Sequence, residues 1–257
     1  MALLELKNIS KHFGGLAAVS GLDLKLEPAG ILGLIGPNGA GKTTTFNIIT
    51  GEYRPSSGQV FFLGREITGT PPHQTARLGI VRTFQLTALF PELSVLKNVL
   101  VGLHLQARIG FLEALLNSRS NRQKEIALAE EAARILDFMN LSQVSEEKAG
   151  TLPHGLQRAL GIAIGLAARP KLLLLDEPLT GMNPAEAAEM IKTIRRIRDQ
   201  FGVTLVVVEH NVRAVMALCE RIVVINFGTK IAEGRPEEIR ENKQVIEAYL
   251  GQDENAA

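Results

Sequence analysis

The chain has 257 residues, 46% of them hydrophobic and 21% charged, and a net charge of +1. That length can bury the core of one large α/β domain, with or without a smaller lobe, and the balanced charge argues against a nucleic acid or an acidic substrate as partner. A single cysteine, Cys219, excludes an internal disulfide and suits a reducing cytosol, where its apolar helical surroundings make it a small core residue.

The N-terminal Met1-Ala-Leu-Leu-Glu-Leu-Lys meets charge at Glu5 and lacks a basic region before an apolar stretch, so no secretory signal is expected. Nor do ~18 uncharged apolar residues run together anywhere, so no bilayer span is expected. Leu4 to Lys7 alternates apolar and polar residues as a half-buried strand does, and Val19 to Leu26 repeats the pattern. Between them Lys11-His12-Phe13-Gly14-Gly15 forms a turn. Phe13 has two readings there, a core residue at a strand end or a flat surface on which a nucleotide base stacks.

The apolar run Ile31 to Ile35 leads into Gly36-Pro37-Asn38-Gly39-Ala40-Gly41-Lys42-Thr43-Thr44, and a helix-compatible segment follows to Thr50-Gly51. A strand, a glycine-rich turn and a helix start are the context a phosphate loop needs. Its glycines let successive N–H groups aim at one point, and the helix N-terminus adds partial positive charge, so a polyphosphate is the natural ligand. Lys42 is placed to reach the β- and γ-phosphates, and Thr43 to hold Mg²⁺ through its hydroxyl.

Gly58 to Leu63 reads as a strand, Pro71 to Leu78 as a short helix with proline at its start, and Ile80 to Phe84 as a strand ending at Gln85. Leu86 to Val101 is apolar, with helical spacing from Val95. Residues 104–125 read either as a short helix on the protein's own lobe or as an amphipathic membrane-surface segment. From Arg122 to Met139 the pattern is helical, with Ile126, Ala129, Ala133 and Leu136 on one face. The stretch from Leu86 to about Arg169 is therefore expected to be a helical lobe set into a chain of strands.

Leu172 to Leu175 is a continuous apolar run, as in a buried parallel strand, and it stops at Asp176-Glu177-Pro178. Asn183-Pro184-Ala-Glu186 then starts a helix with a cap, a proline and a glutamate three residues after the cap, its apolar face running through Met190, Ile194 and Ile197. Val203 to Val208 is a second buried strand, ending at Glu209-His210. A helix from Asn211 to Cys219, strands at Ile222–Ile225 and Lys230–Glu233, and a last helix ending near Leu250 follow, before an acidic tail expected to be disordered.

Parallel α/β sheets bind ligands beyond the carboxyl ends of their strands, where the phosphate loop, Gln85, Asp176-Glu177 and His210 all fall. Asp176 is placed to hold Mg²⁺, directly or through water, and Glu177 to polarise an attacking water. Phosphoryl transfer asks mainly for positioning and electrostatic stabilisation, so a lysine, Mg²⁺, backbone N–H groups and one base suffice.

In this order, Phe13 before a glycine, GPNGAGKTT, Gln85, a helical lobe, LLLLDEP and VVVEH resemble the ATP-binding cassette (ABC) ATPases over essentially the whole chain. The resemblance implies a phosphate-loop NTPase core with a mostly parallel sheet, an N-terminal antiparallel β part and an inserted α-helical subdomain. It implies that Phe13 stacks on adenine, that residues 36–44 bind the phosphates of ATP, and that Gln85 contacts Mg²⁺ and water. Asp176 and Glu177 become metal ligand and general base, and His210 the γ-phosphate contact. Family members pair head to tail, each site completed by the other subunit's Leu-Ser-Gly-Gly-Gln signature. The matching residues are Leu152-Pro153-His154-Gly155-Leu156. Pro153 supplies neither a hydroxyl nor an N–H, and one hydrogen bond lost to a charged group costs roughly 1.5–3 kcal/mol. Gly155 and the helix start behind it keep part of the contribution.

Within the family, Gly79 to Gln85, Leu89 to Val95, Asn98 to Gly102, Gly181-Met-Asn-Pro184 and Ala248 to Gly251 are similar to the ATP-binding subunits of bacterial branched-chain amino acid importers. That likeness implies a motor subunit on the cytoplasmic face of the inner membrane. Its partners are a second, non-identical cassette, two transmembrane permease subunits and, indirectly, a periplasmic solute-binding protein, with no nucleic acid. Leu89, Phe90 and Leu93 then read either as the groove facing the permease or as lobe core. Two alternatives are a soluble cassette ATPase outside transport and an ATP-binding regulatory partner with a degenerate signature.

Overall fold

The computed structural model describes residues 1–83, 89–106 and 119–250. Gln85, residues 107–118 and the acidic tail, on which expectations rested, lie outside the described residues. Two sheets organise the rest. Strands β1 (Leu4–Phe13), β2 (Leu16–Leu26), β4 (Ser57–Phe62) and β5 (Arg65–Glu66) form an antiparallel sheet in the order β2-β1-β4-β5. The second sheet holds β3 (Ile31–Ile35), β6 (Ile80–Thr83), β7 (Leu172–Asp176), β8 (Thr204–Val208), β9 (Arg221–Asn226) and β10 (Thr229–Gly234), in the order β10-β9-β3-β8-β7-β6. All its pairings are parallel except the terminal β9–β10 hairpin.

Buried strands read as continuous apolar runs because side chains alternate between two covered faces. Along β3, β7 and β8, Ile31, Ile35, Leu173, Leu175, Leu205 and Val207 enter one apolar cluster. Leu32, Leu34, Leu172, Leu174, Val206 and Val208 enter the other. The second cluster is closed by the antiparallel sheet and by Phe46, Ile48 and Ile49 of helix α1 (Lys42–Thr50). The first is closed by α3 (Val95–Gln106), α4 (Arg119–Phe138), α5 (His154–Ala167), α6 (Pro184–Phe201) and α7 (Val212–Leu218). Three shorter helices, α2 (Pro72–Leu78), α8 (Pro236–Arg240) and α9 (Lys243–Leu250), complete the described α-helices, and two 3-10 turns, Ser142–Val144 and Ala149–Thr151, join α4 to α5.

Helix α6 starts as its sequence dictates. The Asn183 side chain accepts the Ala185 and Glu186 N–H groups, and the Glu186 carboxylate accepts the Asn183 N–H. Met190, Ile194 and Ile197 are all buried on its inner face, and Cys219 is buried at the end of α7. Helix α4 corrects an expectation. Leu136 is buried, but Ile126 is 53% exposed, and Ala129 and Ala133 also face outward. The buried stripe is Ala132, Ile135, Leu136 and Met139, with Leu128 partly buried one turn earlier, because it is this face that packs into the apolar cluster with α3 and α5.

The loop before α3 is tied down from within. Asn98 is fully buried, its amide donating to the carbonyls of Phe90, Leu93 and Ser94 and accepting the Phe90 N–H. Phe90 itself is 50% exposed, whereas Leu89 packs against the helical cluster. Among the described residues no helix is long and apolar enough to cross a membrane.

Candidate functional site

Strand order decides the site. β3, β8 and β7 are consecutive neighbours and run parallel, so the residues that follow these three strands emerge along one edge of the sheet. The phosphate loop leaves β3, His210 follows β8, and Asp176-Glu177 ends β7. The result is a cleft of about 500 Å³ lined by Phe13, Asn38, Gly39, Gly41, Lys42, Thr43, Thr44, Glu177 and His210, with Leu16, Ala17, Ala18, Val208 and Phe227 completing it.

The loop needs glycine where neighbours crowd it. A Cβ on Gly36 would lie 2.0 Å from the Ile225 carbonyl oxygen, and one on Gly41 would lie 2.4 Å from that of Ala18. Gly41 also adopts φ 104°, closed to most side chains, and caps α1 without a side-chain hydrogen bond. The first-turn N–H groups of α1 therefore point at the cleft with no capping oxygen in the way. Pro37 and Ala40 hold the turn itself, the Ala40 N–H donating to the Pro37 carbonyl at 3.1 Å. Lys42 is buried, and its Nζ donates to the carbonyls of Gly36 and Pro37 at 2.7 and 2.8 Å. Burial pulls its ammonium below the ordinary lysine value, opposed by the negative charges of Glu177 and Asp176.

Phe13 pairs with Leu16 at the end of the β1–β2 hairpin. Its ring is 43% exposed and lines the cleft, so it is not core. Tyr53 meets it edge-on at 5.3 Å, and Lys11 Nζ lies 5.0 Å from its centroid.

Glu177 and His210 meet in the cleft, with His210 Nε2 2.5 Å from Glu177 Oε1. The Thr180 hydroxyl reaches the other carboxylate oxygen at 3.3 Å. Glu177 holds φ 50°, a left-handed conformation that costs a non-glycine residue on the order of 1–3 kcal/mol. Its N–H donates to the Val208 carbonyl at 2.8 Å, which pins the strained residue to the neighbouring strand. Asp176 does not itself line this cleft. Its carboxylate accepts Arg82 Nη2 at 2.7 Å, and both side chains are buried.

Pro153, His154 and Gly155 do not reach the cleft of their own chain. Pro153 precedes α5 without giving it a side-chain cap, and His154 is exposed. The space above Gly155 is bounded by the Glu186 carboxylate, 3.7 Å from where a Cβ would sit.

Four residues at the site escaped the sequence reading. Arg82 of β6 joins Asp176 to Asn47, whose Oδ1 accepts Nη1 at 2.5 Å, with the Glu52 carboxylate 3.9 Å away. A charge inside the apolar strand Ile80-Val-Arg-Thr was the available signal. Glu209 is buried beside His210 and accepts N–H groups from two loops. Burial pushes its carboxyl up, the N–H groups of Leu179, His210 and Asn211 pull it down, and the Glu177 charge pushes it up again. Phe227, 84% exposed, sits at the tip of the β9–β10 hairpin on the cleft's rim. Tyr249 of α9 faces the Gly36 N–H, and burial holds its hydroxyl up at about 12. Nothing in the spacing of these last two connects them to the phosphate loop.

The family model described as ABC transporter matches residues 19–180, well over half of the chain. The chain belongs to the ABC transporter family. Membership makes it an ABC ATPase, and the family's nucleotide-binding character accounts for a phosphate loop, a carboxylate and a histidine in one cleft. A second model, described as branched-chain amino acid ATP-binding cassette transporter, matches residues 229–255. The chain is 44% identical to the high-affinity branched-chain amino acid transport ATP-binding protein BraF of Pseudomonas aeruginosa, covering 97% of this chain and 98% of that protein. It is 42% identical to LivG of Escherichia coli K12, a protein of the same description, over the same shares. Among solved structures, an ATP-binding cassette of an ABC transporter in its ADP conformation superposes with a TM-score of 0.85 at 31% identity, covering 98% of this chain and 99% of that one.

Proposed function

We propose that this ABC ATPase is the ATP-hydrolysing motor subunit of an importer for branched-chain or related amino acids, working at the cytoplasmic face of a bacterial plasma membrane. The convergence of Lys42, Glu177 and His210 in one cleft at the ends of β3, β7 and β8 carries the enzymatic half of this reading. The near full-length likeness to BraF and LivG and the C-terminal match at 229–255 support the transport half. Residues 1–85 and 170–250 act as the nucleotide-binding core, and 86–169 as the helical subdomain.

In this reading Phe13 stacks on adenine. Backbone N–H groups from Gly39 to Thr44 and the Lys42 ammonium hold the phosphates. Lys42 then exchanges its two loop carbonyls for phosphate oxygens. The Thr43 hydroxyl in the cleft and the Asp176 carboxylate behind it are hard oxygen donors, which fits Mg²⁺, an ion that takes few protein ligands beside phosphates and water. Bound there, Mg²⁺ would neutralise charge on the phosphates. Glu177 accepts a proton from the attacking water, and His210, hydrogen-bonded to it, senses the γ-phosphate. Gln85 is assigned the water and metal contact by family likeness. The exposed α5 start at Pro153, His154 and Gly155 completes the site of a second, non-identical cassette in a head-to-tail pair. Two permease subunits receive the motion near Phe90, and a solute-binding protein delivers cargo outside.

ATP hydrolysis by the purified chain over a concentration series, beside Glu177→Gln, tests this. A Glu177-dependent rate rising more steeply than protein concentration is expected if like subunits pair. A rate that appears only when a second cassette is added supports the non-identical pair. Hydrolysis that survives Glu177→Gln unchanged would sink the mechanism.

A further inference from the structure

The two groups assigned to the reaction stand on different loops, Glu177 on the turn after β7 and His210 on the turn after β8. A single side chain that lines neither the cleft nor the surface is bonded to the backbone of both loops. Glu209 is only 3% exposed. Its Oε1 accepts the Leu179 N–H at 2.7 Å, two residues beyond Glu177, and its Oε2 accepts the N–H of His210 at 3.2 Å. The Asn211 N–H faces it as well.

An apolar residue would be the ordinary occupant of such a position, since a buried carboxylate is costly unless it is hydrogen-bonded. No lysine, arginine or histidine side chain among the described residues forms an ion pair with Glu209; backbone N–H groups alone hold it. Those donors belong to the two loops whose relative placement sets the 2.5 Å approach of His210 to Glu177. One of those loops also contains the left-handed Glu177, at φ 50°, which needs an outside constraint to persist. A carboxylate presents an acceptor to each loop at once, whereas an amide of the same shape turns a donor toward one of them.

We propose that Glu209 is a positioning residue that locks the Glu177 turn and the His210 loop into one unit, so that base and γ-phosphate contact face the same point. The role rests on the reading that these two groups act on ATP, and it predicts a defect in turnover rather than in binding.

The test uses the full chain, with a second cassette if the rate requires one, and compares Glu209→Gln with wild type in kcat, ATP Kd and backbone amide exchange. Expected is a kcat at least about tenfold lower, an ATP Kd within about twofold, and exchange of the Leu179 or His210 amide accelerated by about tenfold or more. In a His210→Ala background, Glu209→Gln should cost clearly less than it does in wild type, because the relative placement of His210 is already lost and only the Glu177 turn is left to position. An unchanged kcat, equal losses in both backgrounds, or protection of both amides retained would overturn the proposal. Amide exchange reads the clamp even where no turnover is seen. If Glu209→Gln does not fold, Glu209→Asp, which keeps both acceptors on a shorter reach, is read by the same criteria. Failure of the ATPase reading shows separately, as a rate indifferent to Glu177→Gln.

Discussion

β7 and β8 are adjacent parallel strands that finish alike, each sending one carboxylate inward and one polar group into the cleft. On β7 the inward group is Asp176 and the cleft group Glu177; on β8 they are Glu209 and His210. The inward carboxylates are satisfied in different ways. Asp176 meets the guanidinium of Arg82 from β6, a side-chain partner fixed by strand order. Glu209 meets N–H groups of the loops themselves. The first arrangement secures a buried charge, and the second secures the shape of the loops that carry the chemistry. Two similar strand endings thus divide between holding a ligand donor and holding a geometry.

Substitutions along these two endings sharpen the contrast. The largest effect is expected at the β7 cleft residue. Glu177→Gln should lower the hydrolysis rate by about 10²–10⁴-fold while nucleotide still binds, read by phosphate release beside fluorescent-nucleotide titration. Next comes the inward pair. Arg82→Met leaves Asp176 buried without its cation and should cost about 3–5 kcal/mol in urea unfolding, part of which Asp176→Asn restores in the double variant. Full stability in Arg82→Met would mean that the pair is not what holds Asp176. At the β8 cleft residue, His210→Ala removes the contact to Glu177 but strands no buried charge. A rate loss of about 10–100-fold with an unshifted unfolding midpoint is expected, and an equal loss of stability would erase the distinction between cleft and inward groups. The smallest effect belongs to Thr180→Ala. Its 3.3 Å bond to Glu177 is long, so less than about 1 kcal/mol, or a fivefold change in rate, should follow.

Much of this was legible before any coordinates. The phosphate loop is a local device: strand, glycines and helix start are contiguous, and each residue's role follows from backbone geometry within a few positions. The same holds for the α6 cap at Asn183, where donor and acceptors lie within three residues. Glu177 and His210 were readable because apolar runs point at them. Arg82 and Glu209 were visible as charges beside apolar strands, but their partners lie 94 and 30 residues away. The misplaced face of α4 has the same origin, since period alone offers several stripes and only the packing of α3 and α5 chooses among them.

What the sequence by itself determined is therefore the set of chemical groups and the strands that present them, because hydrophobic alternation and turn chemistry act over a few residues. What only the tertiary structure decided is which of those groups meet. The order β3-β8-β7-β6 brings Lys42, His210 and Glu177 into one cleft, turns Asp176 toward Arg82, and closes Glu209 over two loops. Those meetings depend on side chains far apart in the chain being driven together by burial of the sheet's two faces, and no local pattern encodes that pairing.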